Sequence, residues 1–327
     1  MIIFVFCIIR LYNFINCRTI QKLLNLRLNN MRAEPSKLIY TTNEVAIVED
    51  KSLYLDKRLE CLDKGFVRLV DFMGDDGAIV QAARVSYGKG TKSVREDREL
   101  IRYLMRHRHT SPFEMVEFKF HVKLPIFVAR QWIRHRTANV NEYSGRYSEM
   151  KDEFYIPELE QIRPQNKVNR QGRASDKLPT EKAMEINQMF EQTQKSLFKE
   201  YKTLLEQDLA RELARINLPL STYTEWYWKI DLHNLLHFLR LRIDLHAQYE
   251  IREYAERIIE LIRPIVPMVM EAFEDYTLNA LTLSKQELDY LNSLIIKSKV
   301  KDDKFADFGI KGLEAIEFKE KLEKFIK

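Results

Sequence analysis

Apolar and polar positions alternate strictly over residues 115–123. Val116, Phe118, Phe120 and Val122 fall on one side, and Glu117, Lys119, His121 and Lys123 on the other. A two-residue period of this kind predicts a strand with one buried and one half-exposed face. Residues 66–72 are mostly apolar and predict a short buried strand. Asp75 and Asp76 stand where they can cap a helix running through Ile79, Val80 and Ala83. Ser93 and Glu96 form a capping box ahead of Leu100, Ile101, Leu104 and Met105, which predicts a helix to about Arg108. Pro125 suits the first turn of a helix over 125–136.

The pattern then weakens. Residues 137–150 read as a loop or irregular segment. Residues 161–177 hold only Ile162, Val168 and Ala174 as aliphatic residues and read as a mobile surface loop. From about residue 180 a helical period returns, carried by Met184, Met189, Thr193, Leu197, Tyr201, Leu204 and Leu205. Further helices are expected over 231–243, 245–275 and 284–298, the last opened by a Ser284–Glu287 capping box. No internal repeat is present. The expected class is α+β: a central mixed or antiparallel sheet with flanking helices and a mainly helical C-terminal half.

Composition narrows the function classes. The 327 residues are 45% hydrophobic and 31% charged, the profile of a globular chain with a sizeable core. Glycine is scarce, and neither G-x-G-x-x-G nor a P-loop occurs, so any nucleotide is held without those loops. The net charge of +5 is unevenly placed. Residues 1–30 contain Arg10, Arg18, Lys22 and Arg27 and no acid, which leaves 49 basic and 48 acidic side chains in the other 297 residues. The body therefore offers no electrostatic argument for nucleic acid. The three cysteines, Cys7, Cys17 and Cys61, form no C-x-x-C pair, which points to a reducing cytoplasm and away from a disulfide scaffold or a cysteine-rich zinc site.

Residues 1–9 are wholly apolar, too few to span a bilayer. Three readings of residues 1–30 stand: an extension outside the fold, a membrane-associated segment, or a targeting segment. The first is preferred, with Met31 opening a more ordinary sequence. The expected organisation is an extension over 1–30, a single catalytic domain over 31–280 and a helical tail over 281–327.

The densest polar cluster lies at residues 130–149. Gln131, Arg134 and His135 fall at i, i+3 and i+4, so on a helix they share a face. Arg134, Arg136 and Arg146 lie near Asn141, Glu142 and Ser144 in sequence. Arginine forks suit phosphate, and Gln and Asn amides match a pyrimidine edge. Composition alone leaves two readings: a site for a phosphorylated heterocycle, or a solvated, salt-bridged loop.

The order of residues goes further. Arg134-His135-Arg136, then seven residues, then Ser144 resembles the signature of flavin-dependent thymidylate synthases. The fuller form, R-H-R-x-x-S-x-N-E-x-S-x-R-Y, is matched at Arg134, His135, Arg136, Asn141, Glu142, Ser144, Arg146 and Tyr147. It is broken once, by Asn139 where the family usually has Ser. The flanks are similar too: residues 82–86, His109 to Glu114, Pro125 to Trp132, Leu239 to Arg242 and His246 to Gln248. The resemblance runs from about residue 60 to 275.

That resemblance implies an enzyme for de novo dTMP synthesis. It methylates dUMP with methylenetetrahydrofolate as carbon donor, FAD as the source of hydride and NADPH as the reductant of FAD. No cysteine follows Cys61, which agrees with a route that needs no thiol nucleophile. Arg242 is then the catalytic group. A guanidinium is always protonated, so its task is to stabilise charge on ionised uracil rather than to act as a base. The implied FAD contacts are Ser111, Arg134, His135, Arg136, Asn141 and Glu142 with Asp231, Leu232, His233 and His237. The chain departs from some relatives at Asp231, His233 and His237. The implied dUMP contacts are Gln131, Trp132, Ile133, Arg134, Glu142, Tyr143, Ser144, Gly145, Arg146, Arg215 and Arg242. His109 borders the flavin or folate site, or is an ordinary polar loop residue. No resident metal, nucleic acid or membrane is expected, and the family implies a homotetramer with shared sites.

Two rivals remain open. Pairs of histidines (His107 with His109, or His233 with His237) offer a metal site, although H-E-x-x-H is absent. The R-H-R cluster offers an RNA surface, against the near-neutral charge of the body.

Overall fold

The computed structural model describes residues 51–85, 94–167, 170, 172–294 and 305–326. Residues 1–50, including Cys7 and Cys17, lie outside the described residues, as does Ser93 of the first capping box.

Five strands build one antiparallel sheet: β1 (Arg58–Cys61), β2 (Gly65–Met73), β3 (Glu117–Pro125), β4 (Asn139–Glu142) and β5 (Tyr223–Asp231), in the order β1-β2-β3-β5-β4. The expectation of a mixed or antiparallel sheet resolves to the antiparallel case. The alternation over 115–123 places Phe118, Phe120 and Val122 on the inner face at zero exposure. Opposite them in register stand Ile230, Trp228 and Trp226 of β5. Each such side chain contributes about 1.5–3 kcal/mol on burial. The outer face carries the polar set, laced by Lys119–Asp71, Lys229–Glu117 and His121–Glu225 pairs at 2.9, 2.9 and 3.0 Å.

The α-helices among the described residues are α1 (Asp76–Ala83), α2 (Val94–Arg106), α3 (Ile126–Trp132), α4 (Thr180–Glu206), α5 (Arg211–Ala214), α6 (Leu232–Ile243), α7 (Tyr249–Ile262), α8 (Pro267–Phe273), α9 (Lys285–Leu294) and α10 (Gly312–Ile326), of which α3, α6 and α7 pack on the sheet. The two aspartates divide their work. Asp75 caps its own helix, accepting from the Gly77 and Ala78 amides. Asp76 instead accepts from the Met268 and Val269 amides and so caps α8, far along the chain. The Ser284–Glu287 box forms reciprocally, at 2.7 and 3.3 Å.

Four expectations are corrected. The helix begun at Pro125 ends at Trp132, four residues early, because the chain must reach the sheet edge as β4. Residues 137–150 are therefore not all loop. The expected helix 245–275 is two helices, broken where Pro264 and Pro267 remove amide donors, and it continues as a π-helical turn, Glu274–Leu278. Helix α2 stops at Arg106, with Arg108 in the left-handed region at φ 57°.

Candidate active site

A cleft of about 1270 Å³ opens where the end of α2, the outer side of α6, residues 244–248 and residues 273–282 meet. That volume exceeds the usual range for drug-sized ligands and has room for a dinucleotide. Gln131, His109, His233, His237 and Arg242 line it. Helix α6 is set by Asp231, whose carboxylate accepts from the Asn234 amide at 2.9 Å. Leu232, Leu235, Leu236, Phe238 and Leu239 anchor it in the core. His233 and His237, one turn apart, consequently face the cleft.

Arg242 sits in the last turn of α6, where the helix dipole favours a cation. It donates to the Gln131 carbonyl at 3.3 Å. Among the described residues its buried Nε and the buried Oε1 of Gln131 both lack a partner. Burial pulls the Arg242 pKa below its ordinary value. A buried donor and a buried acceptor left unpartnered call for an explanation, and a polar ligand in the cleft would supply one.

His135 leaves the end of α3 and packs edge-on against Phe238 and His237, with centroids at 5.0 and 5.7 Å. Burial, the nearby Arg242 charge and His237 together push its pKa down to about 4. The ring is therefore neutral at physiological pH and can accept as well as donate. His109, which lines the cleft, stacks on Tyr103 at 5.9 Å.

A second group forms on β4 and the turn after it. Glu142 accepts from the Thr224 hydroxyl at 2.8 Å. The Tyr143 hydroxyl donates to the Glu149 carbonyl at 2.5 Å, and the Ser144 hydroxyl accepts from the Arg146 amide at 3.3 Å. Arg146 pairs with Glu212 at 3.0 Å on the surface. Beneath the turn a small separate core of Met150, Tyr201 and Ala214 ties β4 to α4 and α5, and the Tyr201 hydroxyl accepts from the Met150 amide at 2.9 Å. The helical stripe of α4 thus fixes Arg215 beside Gly145. A Cβ at Gly145 would stand 3.0 Å from the Arg215 Nη1 and 2.7 Å from the Met150 Sδ.

Other expected residues fall in varied places. Asn141, Ser111, Ile133, Arg134 and Arg136 are exposed. Arg134, Arg136 and Arg215 make no ion pair among the described residues, so three guanidiniums stand without a carboxylate. Trp132 and Leu232 are both fully buried, and Trp132 packs on Trp226, Trp228 and Phe238 at 5.7, 5.0 and 4.7 Å. Only their backbones remain for a ligand. Among the described residues no three His, Cys, Asp or Glu converge as a metal-binding set. Within one chain the cleft group and the β4 group are not joined by any hydrogen bond or ion pair among the described residues. The sequence reading missed Tyr276 and Lys321 in the cleft wall and Thr224 under Glu142; nothing in their local pattern marks them as polar site residues.

A family model described as thymidylate synthase complementing protein matches residues 68–268. The chain belongs to the flavin-dependent thymidylate synthase family. A flavin-dependent thymidylate synthase of Treponema denticola is 54% identical over 268 residues, covering 82% of this chain and 98% of the relative. One of Gluconobacter oxydans is 62% identical over 228 residues, covering 69% of this chain and 75% of the relative. Among solved structures, the UMP/dUMP methylase PolB from Streptomyces cacaoi, bound with 5-Br dUMP, is 35% identical with a TM-score of 0.61; the match covers 67% of this chain and 98% of that one. The flavin-dependent thymidylate synthase signature is thus the segment that leaves α3, pairs as β4 and turns back over Arg215.

Proposed function

We propose that this chain makes dTMP by reductive methylation of dUMP, with methylenetetrahydrofolate as carbon donor and with FAD and NADPH supplying the reducing equivalents. The observation that carries this reading is the Arg242–Gln131 pair, whose Nε and Oε1 are buried and unpartnered. A uracil edge presents an N–H between two carbonyls, so an amide acceptor beside a guanidinium donor is complementary to it. Arg242 stabilises the anion formed as the ring nitrogen loses its proton, which raises the nucleophilicity of C5. Low local dielectric at this half-buried site strengthens the effect.

Gly145 allows the backbone to approach Arg215, and Arg146, Arg134 and Ser144 supply donors for the phosphate. Glu142, already bound to Thr224, orients a neighbouring arginine or a ligand hydroxyl. Bound FAD, reduced by NADPH, supplies the hydride. Ser111, Arg134, His135, Arg136, Asn141 and Glu142, with the segment from Asp231 to His237, are the residues proposed to hold it. The neutral His135 ring hydrogen-bonds there without adding charge.

A homotetramer with shared sites is part of the proposal. Two features support it: among the described residues no hydrogen bond or ion pair joins the two residue groups within one chain, and the apolar side chains Ile133, Val140, Tyr147 and Ile216 stand exposed beside the signature. Action in the cytoplasm is proposed as well; among the described residues no helix is long and apolar enough to cross a membrane. The test is the absorption spectrum of the purified protein, followed by dTMP measurement in dUMP, methylenetetrahydrofolate and NADPH. A colourless protein that yields no dTMP with added FAD overturns the reading.

A further inference from the structure

The C-terminal helix α10 is fastened to the catalytic body by its acidic side chains. Glu314 pairs with Arg102 at 3.2 Å and accepts from the Tyr276 hydroxyl at 2.5 Å. Glu317 pairs with Arg106 at 2.6 Å and meets His107 at 3.1 Å. These contacts are shielded from water: the Arg102, Arg106 and Glu317 side chains are 13%, 9% and 17% exposed. Arg106, with His107, holds the Glu317 carboxyl down at about 2. The clamp therefore stays charged throughout the physiological range, and it fixes both the position and the rotation of the helix.

That rotation has a consequence for Lys321. It follows Glu317 by four residues and Glu314 by seven, so it lies on the clamped face of α10. It reaches the wall of the same cleft that Arg242 lines. Tyr276, the anchor of Glu314, sits in the π-helical turn and lines that cleft too; π-turns recur at functional sites. Besides Arg106, which Glu317 neutralises, Arg108, Arg240, Arg242 and Lys321 face the cleft; among the described residues its lining holds one carboxylate, Asp244, which is already bound to His246. Four like charges around one opening repel one another unless an anion joins them, and such a lining attracts one.

We propose that Lys321 is a ligand-binding residue, delivered by α10 to meet a phosphate or carboxylate of a molecule held in the Arg242 cleft. This rests on the reading of the cleft as the cofactor and co-substrate site. Three molecules of that site carry such a group: FAD and NADPH through phosphates, and the folate through its glutamate carboxylates.

The test uses full-length protein with Lys321→Ala, Lys321→Glu and Lys321→Arg. Binding of FAD, NADPH and methylenetetrahydrofolate is measured separately, by quenching of protein fluorescence, beside steady-state KM and kcat and a melting curve. The expected result is a weakening of about 10-fold for one of the three ligands in Lys321→Ala. Lys321→Glu should weaken it further, and Lys321→Arg should restore it, with kcat and Tm unchanged. The ligand affected identifies the anion. Unchanged binding of all three ligands overturns the proposal, and so does a uniform loss that tracks a fall in Tm. Because binding is read directly, a chain that binds these ligands yet makes no dTMP would sink the functional reading while still deciding the role of Lys321.

Discussion

Gly145 lies against Arg215, close enough that a Cβ on the glycine would stand 3.0 Å from the guanidinium Nη1 and 3.2 Å from Cδ. The signature turn and an arginine seventy residues later in the chain are therefore fitted to each other. Gly145→Ala should push Arg215 and Met150 aside without unfolding the turn. The expected loss in kcat/KM for dUMP is on the order of 10- to 100-fold, since small misplacements of a positioning group have effects of that size. Flavin content should stay as in the parent. Wild-type kcat/KM in the alanine variant would remove Arg215 from the dUMP site.

His135 gives a pH prediction. Its pKa is about 4 in the folded chain against an ordinary value near 6.5. The unfolded chain binds more protons between those values, so this group favours folding above pH 6.5 and loses that contribution as pH falls toward 4. NMR of the imidazole should show no protonation between pH 8 and 5.5. In His135→Gln the melting temperature should fall less steeply over the same acid range. A native His135 titrating near 6.5 would contradict the packing described here.

How far the sequence reached depended on the physics of each element. Strand β3 was legible because one face is in the core and the other in water. The signature was legible because its order is specific, whereas its geometry was not. Strand β4 is exposed at all four positions, so no apolar period marks it; pairing with β5 makes it a strand. Strand β5 carries a legible period of its own, since Thr224, Trp226, Trp228 and Ile230 alternate and are all buried. The motif places Trp132 among the dUMP contacts, and its ring lies in the core, which leaves its backbone for a ligand. Lys321 was out of reach, because only the tertiary clamp through Glu314 and Glu317 brings it to the cleft.

Cys61 tests the absence of thiol chemistry. It is 1% exposed and belongs to the main core, and burial with the nearby Glu253 raises its pKa far above the ordinary thiol value. A thiol of this kind is inert. Native protein at pH 8 should leave Cys61 unlabelled by an aromatic disulfide reagent, and Cys61→Ala should keep its turnover with a stability loss of about 1 kcal/mol. A fall in turnover of several orders of magnitude with the fold intact would reopen a cysteine route.

The family match begins at residue 68, and the basic segment before Met31 contributes none of the site residues named above. A chain starting at Met31 should fold with an unchanged melting temperature and make dTMP at the parent rate. Reduced flavin retention or activity in that chain would assign residues 1–30 to the enzyme.

Arg242 carries the sharpest prediction. Its side chain reaches the Gln131 carbonyl while its Nε remains buried and, among the described residues, unpartnered, so a donor is held in place there. If that donor stabilises the uracil anion, Arg242→Ala should still bind FAD and be reduced by NADPH. Its dTMP formation should fall by at least ~100-fold, the usual loss on removing one preorganised donor. Arg242→Lys should recover little, because an ammonium does not reproduce the planar fork. Arg84→Ala serves as the comparison. It breaks a shielded 2.7 Å pair with Asp97 away from the cleft lining, so it should lower Tm without a matching loss of chemistry. The measurement is stopped-flow flavin reduction and reoxidation, with product quantified after one turnover. A normal single-turnover yield and rate in Arg242→Ala would move the catalytic role to another arginine, with Arg215 and Arg134 the next to substitute.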